Sequence, residues 1–220
     1  MSQSPPPLID MPPIKVLGIS GSPRKGKNTE SLLQAALDSA QEAGAEIELL
    51  SLPGLSIISC TGCNTCVKEK RCSQDGEDDM TAVKKKLEEE ADGVILAAPS
   101  YFGGVPGVMK NMMDRTRSLK IDGTRLKDRV CSALSLSGLR HGGAEQVAEH
   151  LTRFGLIHGM VVVGGVGDPV SDGYFGIASL QGDEGWRRAT GDDLALENAR
   201  GVGKRVAEVI RALRGDSRAE

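Results

Sequence analysis

The chain has 220 residues, of which 39% are hydrophobic and 26% charged, a balance typical of one globular domain with a substantial core. The formal net charge of −3 excludes strong bulk attraction to nucleic acid or to an anionic membrane surface. No apolar run approaches the roughly 20 residues that span a bilayer, and the start of the chain lacks the charged and apolar regions of a secretory signal.

Both ends of the chain are predicted to be unstructured. The first residues, MSQSPPPLIDMPP, are rich in proline, and we expect residues 1–12 to form a disordered tail. We expect residues 215–220 to fray beyond the last helix. Residues 13–214 contain no internal repeat and no linker of the length that separates domains, so they are predicted to form a single domain.

Short apolar runs alternate with amphipathic segments along nearly the whole chain. The apolar runs predict strands over residues 14–19, 46–52, 93–98, 129–137 and 157–163. The amphipathic segments predict helices over residues 29–43, 78–90, 108–118, 143–154 and 193–214. Asp78 and Asp79 suit the N-cap and first turn of the second helix, and a long glycine-rich loop is expected over residues 164–191. Five strands alternating with five helices predict an α/β fold, a doubly wound parallel sheet with helices on both faces.

The loop between the first strand and the first helix has the composition of an anion site. Residues 20–29 read SGSPRKGKNT. Small residues let backbone N–H groups converge on an anion, hydroxyl groups add donors, and the dipole of the following helix favours negative charge. Because Arg24, Lys25 and Lys27 add positive charge, we predict a phosphate site here and count Ser20 and Pro23 among its residues.

Two nucleotide-binding patterns fail at this loop. Gly21 to Lys27 fits the first part of G-x-x-x-x-G-K-[ST], but Asn28 stands where a hydroxyl must reach Mg²⁺. The strand over residues 93–98 runs into Pro99, without the acidic residue that would hold the metal. The dinucleotide fingerprint G-x-G-x-x-G is also absent from this turn. A single phosphate monoester is the best remaining ligand.

Four of the five cysteines lie within thirteen residues, with the spacing C-x2-C-x2-C-x5-C. They are Cys60, Cys63, Cys66 and Cys72. Zinc sites usually divide their ligands into two separated pairs, so the compact spacing favours a 4Fe–4S cluster. Free redox-active thiols and a zinc site remain as alternatives. Because the chain shows no export signal, the clustered cysteines favour metal binding or redox chemistry over a disulfide framework. This predicts that the protein works in the reducing cytoplasm.

Aromatic residues make up only 3% of the chain, and five of the six lie in loops that follow predicted strands. The five are Tyr101, Phe102, Tyr174, Phe175 and Trp186. Ligands of open α/β sheets bind at the carboxyl ends of the strands, so we expect a flat ligand to stack there. The alternative is that these rings merely cover the edge of the sheet.

Four motifs in this order together resemble the NADPH-dependent FMN reductase-like family and, within it, the iron–sulfur flavoproteins. They are GSPRKGKNT, the cysteine-rich loop with Asp78-Asp79-Met80, Pro99-Ser100-Tyr101-Phe102-Gly103, and Lys110 with Asp114-Arg115. The resemblance extends over residues 14–165. It implies a flavodoxin-like five-stranded sheet of order 2-1-3-4-5, with FMN bound near a subunit interface in a homodimer or homotetramer.

The resemblance also implies which residues bind FMN. The phosphate would be held by Ser22, Arg24, Asn28 and Thr29. The isoalloxazine ring would be flanked by Pro99, Ser100, Tyr101, Phe102 and Gly103, and its other side would be closed by Ser137, Gly138 and the loop through Gly142 and Gly143. The same resemblance supports a 4Fe–4S cluster on the four clustered cysteines.

No catalytic side chain is expected, because a flavin itself carries the redox chemistry. His141 and His158 are interpreted as structural, since isolated loop or strand histidines usually are. Lys110, Asp114 and Arg115 are interpreted as an ion pair on a helix surface that supports the fold.

Three functions are compatible with these features. The first is an enzyme in which NAD(P)H or a reduced carrier reduces FMN, which then reduces a quinone, an oxygen species or another acceptor. The second is a non-catalytic flavodoxin-like electron carrier, and the third is a zinc-stapled interaction protein. Carriers of the flavodoxin kind are strongly acidic and bind the phosphate with neutral groups, so the basic loop and the net charge of −3 favour the enzyme.

Overall fold

The computed structural model describes residues 12–167, 173–179 and 181–215, and it leaves the side chain of Trp186 outside that description. The predictions for residues 1–11 and 216–220 therefore lie outside the described residues. The strands are β1 (Ile14–Ser20), β2 (Ala45–Ser51), β3 (Gly93–Pro99), β4 (Val130–Leu136), β5 (Val161–Val162) and β6 (Gly176–Ala178). The α-helices are α1 (Asn28–Glu42), α2 (Thr65–Glu69), α3 (Met80–Lys85), α4 (Gly107–Arg115), α5 (Arg117–Ile121), α6 (Ala144–Ile157) and α7 (Asp193–Arg214).

The strands form one parallel sheet of order β2-β1-β3-β4-β5, with β6 also paired to β4. Every residue of β3 and β4 is buried, which is the pattern of central strands covered by helices on both faces. This confirms the predicted doubly wound sheet and its order.

The fifth strand differs from the prediction. Helix α6 extends to Ile157, so the strand expected over residues 157–163 is reduced to the two residues of β5. β6 lies inside the segment expected to be a loop, and it pairs with Leu134–Leu136 while β5 pairs with Val130 and Cys131. The edge beside β4 is therefore occupied by two separate pieces of chain, both parallel to it.

The helix predicted over residues 78–90 starts with α3 and ends in a π-helical turn, Lys86–Glu90. Asp79 occupies the N-cap position, but its carboxylate accepts a 2.7 Å hydrogen bond from the Ser56 amide instead of capping the helix. Asp78 provides the local contact, since its Oδ1 accepts the Met80 amide at 3.0 Å. Both acids thus connect the helix to the cysteine loop before it.

No helix in the described part of the chain is long and apolar enough to cross a membrane.

Two apolar layers enclose the sheet. One contains Met80, Met109, Met112 and Leu151 and lies under α3, α4 and α6. The other lies under α1 and α7 and includes Leu33. The second layer depends on a close approach of its two helices, because a Cβ added to Gly203 of α7 would overlap the Ala36 carbonyl oxygen of α1.

This close approach predicts opposite effects for two glycines of α7. Gly203→Ala is expected to lower the free energy of unfolding by about 1–3 kcal/mol, because the helices must separate to admit a methyl group. Gly201→Ala is expected to raise it by about 0.5–1 kcal/mol, because the nearest heavy atom lies 4.0 Å from the added Cβ and alanine favours the helix. Urea denaturation of both variants checks this, and equal midpoints for the two would contradict the packing.

Candidate functional site

The carboxyl ends of the central strands lie at one edge of the sheet. Ser20 at the end of β1 is in register with Ala97, and Pro99 at the end of β3 is in register with Leu136 of β4. The segment after β6 joins the same edge, because the Gln181 amide donates to the Ser137 carbonyl at 3.0 Å. The loops that carry the predicted site residues therefore begin side by side.

The loop over residues 20–29 has an unsatisfied donor at its base. The Ser20 side chain is fully buried, and its Oγ has no hydrogen-bond partner among the described residues. A buried hydroxyl without a partner is costly unless a ligand or water completes it. Gly21 lies against α4, where a Cβ would come within 2.6 Å of the Met109 Cβ.

The top of this loop leads into the start of α1. The Ser22 Oγ accepts the Arg24 amide at 3.1 Å, which tightens the turn. Helix α1 begins at Asn28, and the first N–H groups of a helix have no partner within it. Thr29 is buried in the same first turn, whereas Pro23 is exposed. Ser20 and the amino end of α1 thus supply donors that suit an oxyanion, while the Glu30 carboxylate of the same turn already accepts the Gly26 amide at 2.7 Å.

The segment after β6 covers one side of this loop. The Asn28 side chain donates to the Gly182 carbonyl at 2.7 Å and accepts the Ala189 amide at 3.0 Å. The Arg24 Nη1 lies 2.8 Å from the Asp183 Oδ1, in a pair whose side chains are about half exposed. Sequence reasoning assigned both Arg24 and Asn28 to the phosphate and missed these protein partners, which lie more than 150 residues away in the chain.

The loop after β3 is a tight turn that presents an aromatic ring. The Tyr101 amide donates to the Gly104 carbonyl at 2.9 Å, and the Gly104 amide returns a bond of 3.0 Å. Phe102 and Gly103 both have positive φ, 51° and 77°, a conformation that costs energy for a bulky residue. Phe102 is fully exposed and Tyr101 is about half exposed.

The loops after β3 and β4 contact each other. The Ser100 hydroxyl donates to the Gly142 carbonyl at 2.6 Å. A Cβ added to Gly143 would come within 2.8 Å of the Gly103 Cα, so the two loops approach at a distance that favours glycine. On the outer side, Arg187 donates to the Gly138 carbonyl at 2.9 Å, and the Ser137 hydroxyl donates to the Leu139 carbonyl. The structure thus brings the predicted ring-flanking loops together.

Helix α4 lies between this edge and the cysteine loop. Met109 packs against Gly21 of the loop over residues 20–29, while Asn111 donates to the Ile57 carbonyl at 3.2 Å and accepts the Ser59 hydroxyl at 3.1 Å. One helix therefore contacts both candidate sites.

The four clustered cysteines line one small pocket. Its walls also include Asp114, Arg115 and Arg117 of the neighbouring helices. Cys60 and Cys63 are exposed, whereas Cys66 and Cys72 are half-buried. Within the described residues, no three His, Cys, Asp or Glu side chains form a preformed metal-ligand set. The thiols share a pocket without being gathered around one point.

Hydroxyl groups surround the Cys63 thiol and lower its pKa. Its Sγ lies 3.1 Å from the Ser73 Oγ and 3.3 Å from the Thr65 Oγ1, and these contacts, led by Ser73, lower its pKa to about 6. At neutral pH the side chain is therefore mostly a thiolate, the form that binds metals. Cys131 is the opposite case, because burial in β4 raises its pKa to about 12.

A buried ion pair closes the base of the cysteine loop and corrects the surface role expected for Arg115. Its side chain and that of Asp78 are both 0% exposed, and the two are joined at 2.6 Å. Burial alone would raise the pKa of Asp78, but the hydrogen bonds from Arg115 and the Ile58 and Met80 amides hold it below its ordinary value. Lys110 and Asp114 do form the expected exposed helix pair, at 2.6 Å.

His158 and His141 have different environments. His158 is buried beside Thr116, and burial, with Lys120, lowers its pKa to about 4. A ring that stays neutral at physiological pH is a poor general acid. His141 is an exposed loop residue with φ of 56°.

Residues 14–169 match the family model for NADPH-dependent FMN reductase. A protein named iron-sulfur flavoprotein from Methanocaldococcus jannaschii is 41% identical, over 91% of this chain and all of its own length. Another of that name, from Archaeoglobus fulgidus, is 39% identical over 90% of this chain and 96% of its own. Among solved structures, a flavodoxin from the domain Archaea superposes with a TM-score of 0.54 at 14% identity, covering 90% of this chain and 99% of that one. The last comparison shows the shared fold.

Proposed function

The chain belongs to the NADPH-dependent FMN reductase family, and from this premise we propose that it is a flavin-dependent oxidoreductase. Its FMN takes electrons from NAD(P)H or a reduced carrier and passes them to a small acceptor such as a quinone or an oxygen species. The observation that supports this most directly is the buried Ser20 hydroxyl at the end of β1, which has no hydrogen-bond partner among the residues that the structure describes.

The residues of the first loop fit the phosphate of FMN. The Ser20 hydroxyl and the Asn28 and Thr29 amides at the start of α1 would supply donors, and Thr29 adds a buried hydroxyl. Ser22 shapes the turn and Arg24 supplies the positive charge. Asn28 orients the segment over residues 181–189 beside this site.

The loops after β3 and β4 fit the ring of FMN. Pro99 to Gly103 would flank it, and Ser137, Gly138, Gly142 and Gly143 would close the other side. The strained, exposed Phe102 and the mutual contact of the loops through Ser100 support this assignment. Bound there, FMN supplies hydride acceptance and electron transfer, so the protein's part is to bind and orient it and to limit access of water.

The four clustered cysteines would hold a 4Fe–4S cluster, which supplies one-electron transfer. Their common pocket and the lowered pKa of Cys63 support this, as do the names of the two relatives. Two alternatives remain distinct: a reductase with free redox thiols, and a non-catalytic carrier. The family model names a reductase, which favours an enzyme over a carrier.

One purification tests the proposal. Protein prepared without oxygen should carry one FMN per chain, contain iron and acid-labile sulfide, and oxidise NADPH or NADH when a quinone is supplied. Protein that binds FMN but reduces no quinone, whether NAD(P)H or a reduced electron carrier is the donor, would be a non-catalytic electron carrier. A colourless protein with neither FMN nor iron would overturn the proposal.

The aromatic turn makes a further prediction. The double substitution of Tyr101 and Phe102 by alanine should weaken FMN binding by about tenfold, since aromatic stacking contributes roughly 0.5–1.5 kcal/mol per ring pair. It should also brighten the fluorescence of the remaining bound flavin. Tyr174→Ala is the control, because Tyr174 is also an exposed aromatic residue but precedes β6, at the other end of that strand. Wild-type affinity and quenching in the double variant would rule out stacking.

A further inference from the structure

Arg115 is a fully buried cation at the wall of the cysteine pocket. It ends α4, its side chain is 0% exposed, and it lines the pocket with the four cysteines. Its Nη1 donates to the Ile58 carbonyl at 3.0 Å, and its Nη2 donates to the Gln74 carbonyl at 3.2 Å. These two carbonyls lie on either side of the cysteine segment in sequence, so Arg115 fastens both ends of that segment to α4.

The contacts of Arg115 leave part of its hydrogen-bonding capacity unused. Both terminal nitrogens donate hydrogen bonds to the Asp78 carboxylate, Nη1 to Oδ2 at 2.6 Å and Nη2 to Oδ1 at 3.2 Å. The Nε, also buried, has no hydrogen-bond partner in the described part of the chain. Cys72 and the guanidinium line the same pocket, and although burial alone would lower the pKa of Arg115, Asp78 and Cys72 raise it above its ordinary value. The cation therefore faces the cysteines as well as Asp78.

We propose that Arg115 is a positioning residue that holds a fixed positive charge against the cluster on the four cysteines and raises its reduction potential. The inference rests on the proposed function, since it requires that cluster. Reduction adds one electron to a group that thiolate ligation has already made negative, and a nearby cation stabilises the reduced form more than the oxidised form.

The strength of this charge depends on its burial and on Asp78. Arg117 and Asp114 also line the pocket but are exposed, so water and salt screen them. Lys84 is nearly buried but is paired with Asp75. Asp78 opposes Arg115 from the same buried position, and removing either partner therefore changes the local charge in a predictable direction.

Two variants separate this role from a purely structural one. Asp78→Asn leaves the Arg115 cation uncompensated, so the cluster should become easier to reduce. With the solution potential held near the midpoint potential of the wild-type cluster, the ratio of reduced to oxidised cluster should rise by at least tenfold. This corresponds to a rise of about 59 mV in the midpoint potential for one electron. Adding Arg115→Gln to that variant removes the cation without leaving a buried carboxylate, and the midpoint should return toward the wild-type value.

The measurement is a redox titration followed by the visible absorption of the cluster, with iron content and far-ultraviolet circular dichroism determined for each protein. Arg153→Gln, which alters an exposed ion pair on α6, is the control and should leave the midpoint unchanged. Equal midpoints for Asp78→Asn and the double variant, with iron retained in both, would overturn the role of Arg115 and leave the proposed function intact. Wild-type protein that takes up no iron after anaerobic reconstitution would overturn the cluster and this role together, while the FMN assignment would still stand on its own spectrum.

If Asp78→Asn fails to fold, Arg115→Gln and Arg115→Lys in the wild-type background test the proposal. Arg115→Gln leaves the Asp78 carboxylate uncompensated, so the ratio of reduced to oxidised cluster at the same solution potential should fall by at least tenfold. Lysine keeps the cation but cannot form the fork to Asp78, so Arg115→Lys should keep a midpoint close to wild type. A wild-type midpoint in Arg115→Gln, or a midpoint lowered as much in Arg115→Lys as in Arg115→Gln, would overturn the proposal.

Discussion

Replacing Cys63 by alanine is expected to abolish iron binding while FMN remains bound at one per chain. A 4Fe–4S cluster is ligated by cysteine thiolates, and loss of one ligand exposes an iron to water and oxygen. Cys63 lines the common pocket, and its pKa, lowered to about 6 by contacts led by Ser73, favours the thiolate that binds metal. FMN should be retained because its predicted contacts lie on other loops, after β1, β3 and β4.

The measurement is iron, sulfide and flavin content after anaerobic purification of the variant and the wild type. Cys131→Ala provides the matched control: Cys131 is buried in β4, outside the cysteine pocket, and its loss should leave iron content unchanged. Iron retained in the Cys63 variant would remove Cys63 from the ligand set. Stoichiometric zinc in the wild type would favour a zinc site, and FMN with neither metal nor sulfide would leave the thiol-based reductase.

The central part of the fold could be predicted because local pattern and burial agree there. Residues 14–19 and 93–98 were predicted as strands, and β1 and β3 each extend one residue further. Both are nearly continuous apolar runs, the signature of strands covered on two faces. The remaining helix and strand limits depend on partners far away in the chain.

β6 shows why the fifth strand could not be predicted. Gly176–Ala178 is too short for any hydrophobic period, and its pairing with β4 joins residues about forty positions apart. Its glycine has a packing reason that only the tertiary structure reveals: a Cβ at Gly176 would overlap the Leu134 side chain. From the sequence alone, that segment is predicted only to be a glycine-rich loop.

The site shows the same division between local and long-range information. The spacing of four residues correctly predicts the exposed pair of Lys110 and Asp114. Arg115 is one residue further, which turns it about 100° around the helix axis, and this rotation directs it inward to Asp78. The composition of residues 20–29 predicts an anion site, but it gives no sign of the Asp183 partner of Arg24 on the segment after β6.

Removing Asp183 is expected to tighten FMN binding, whereas removing Arg24 is expected to weaken it. Arg24→Ala loses a charge-assisted contact worth about 1.5–3 kcal/mol, so the dissociation constant of FMN should rise by roughly tenfold or more. Asp183→Ala frees the same guanidinium from an exposed ion pair. Because such pairs contribute about 0–1 kcal/mol, the dissociation constant should fall by up to about fivefold.

A comparison of FMN with riboflavin separates the loss of a phosphate contact from a general loosening of the loop. Riboflavin lacks the phosphate, so its affinity for the apoprotein should be the same in wild type, Arg24→Ala and Asp183→Ala when measured by quenching of flavin fluorescence. In the double variant the effect of Asp183→Ala on FMN should disappear, since no guanidinium remains to be released. The FMN effects should also shrink as salt is added, because both groups are half exposed and screened by ions. Equal losses for FMN and riboflavin in Arg24→Ala would mean that Arg24 supports the loop through Asp183, and that the phosphate is held by Ser20, Thr29 and the amides of α1 alone.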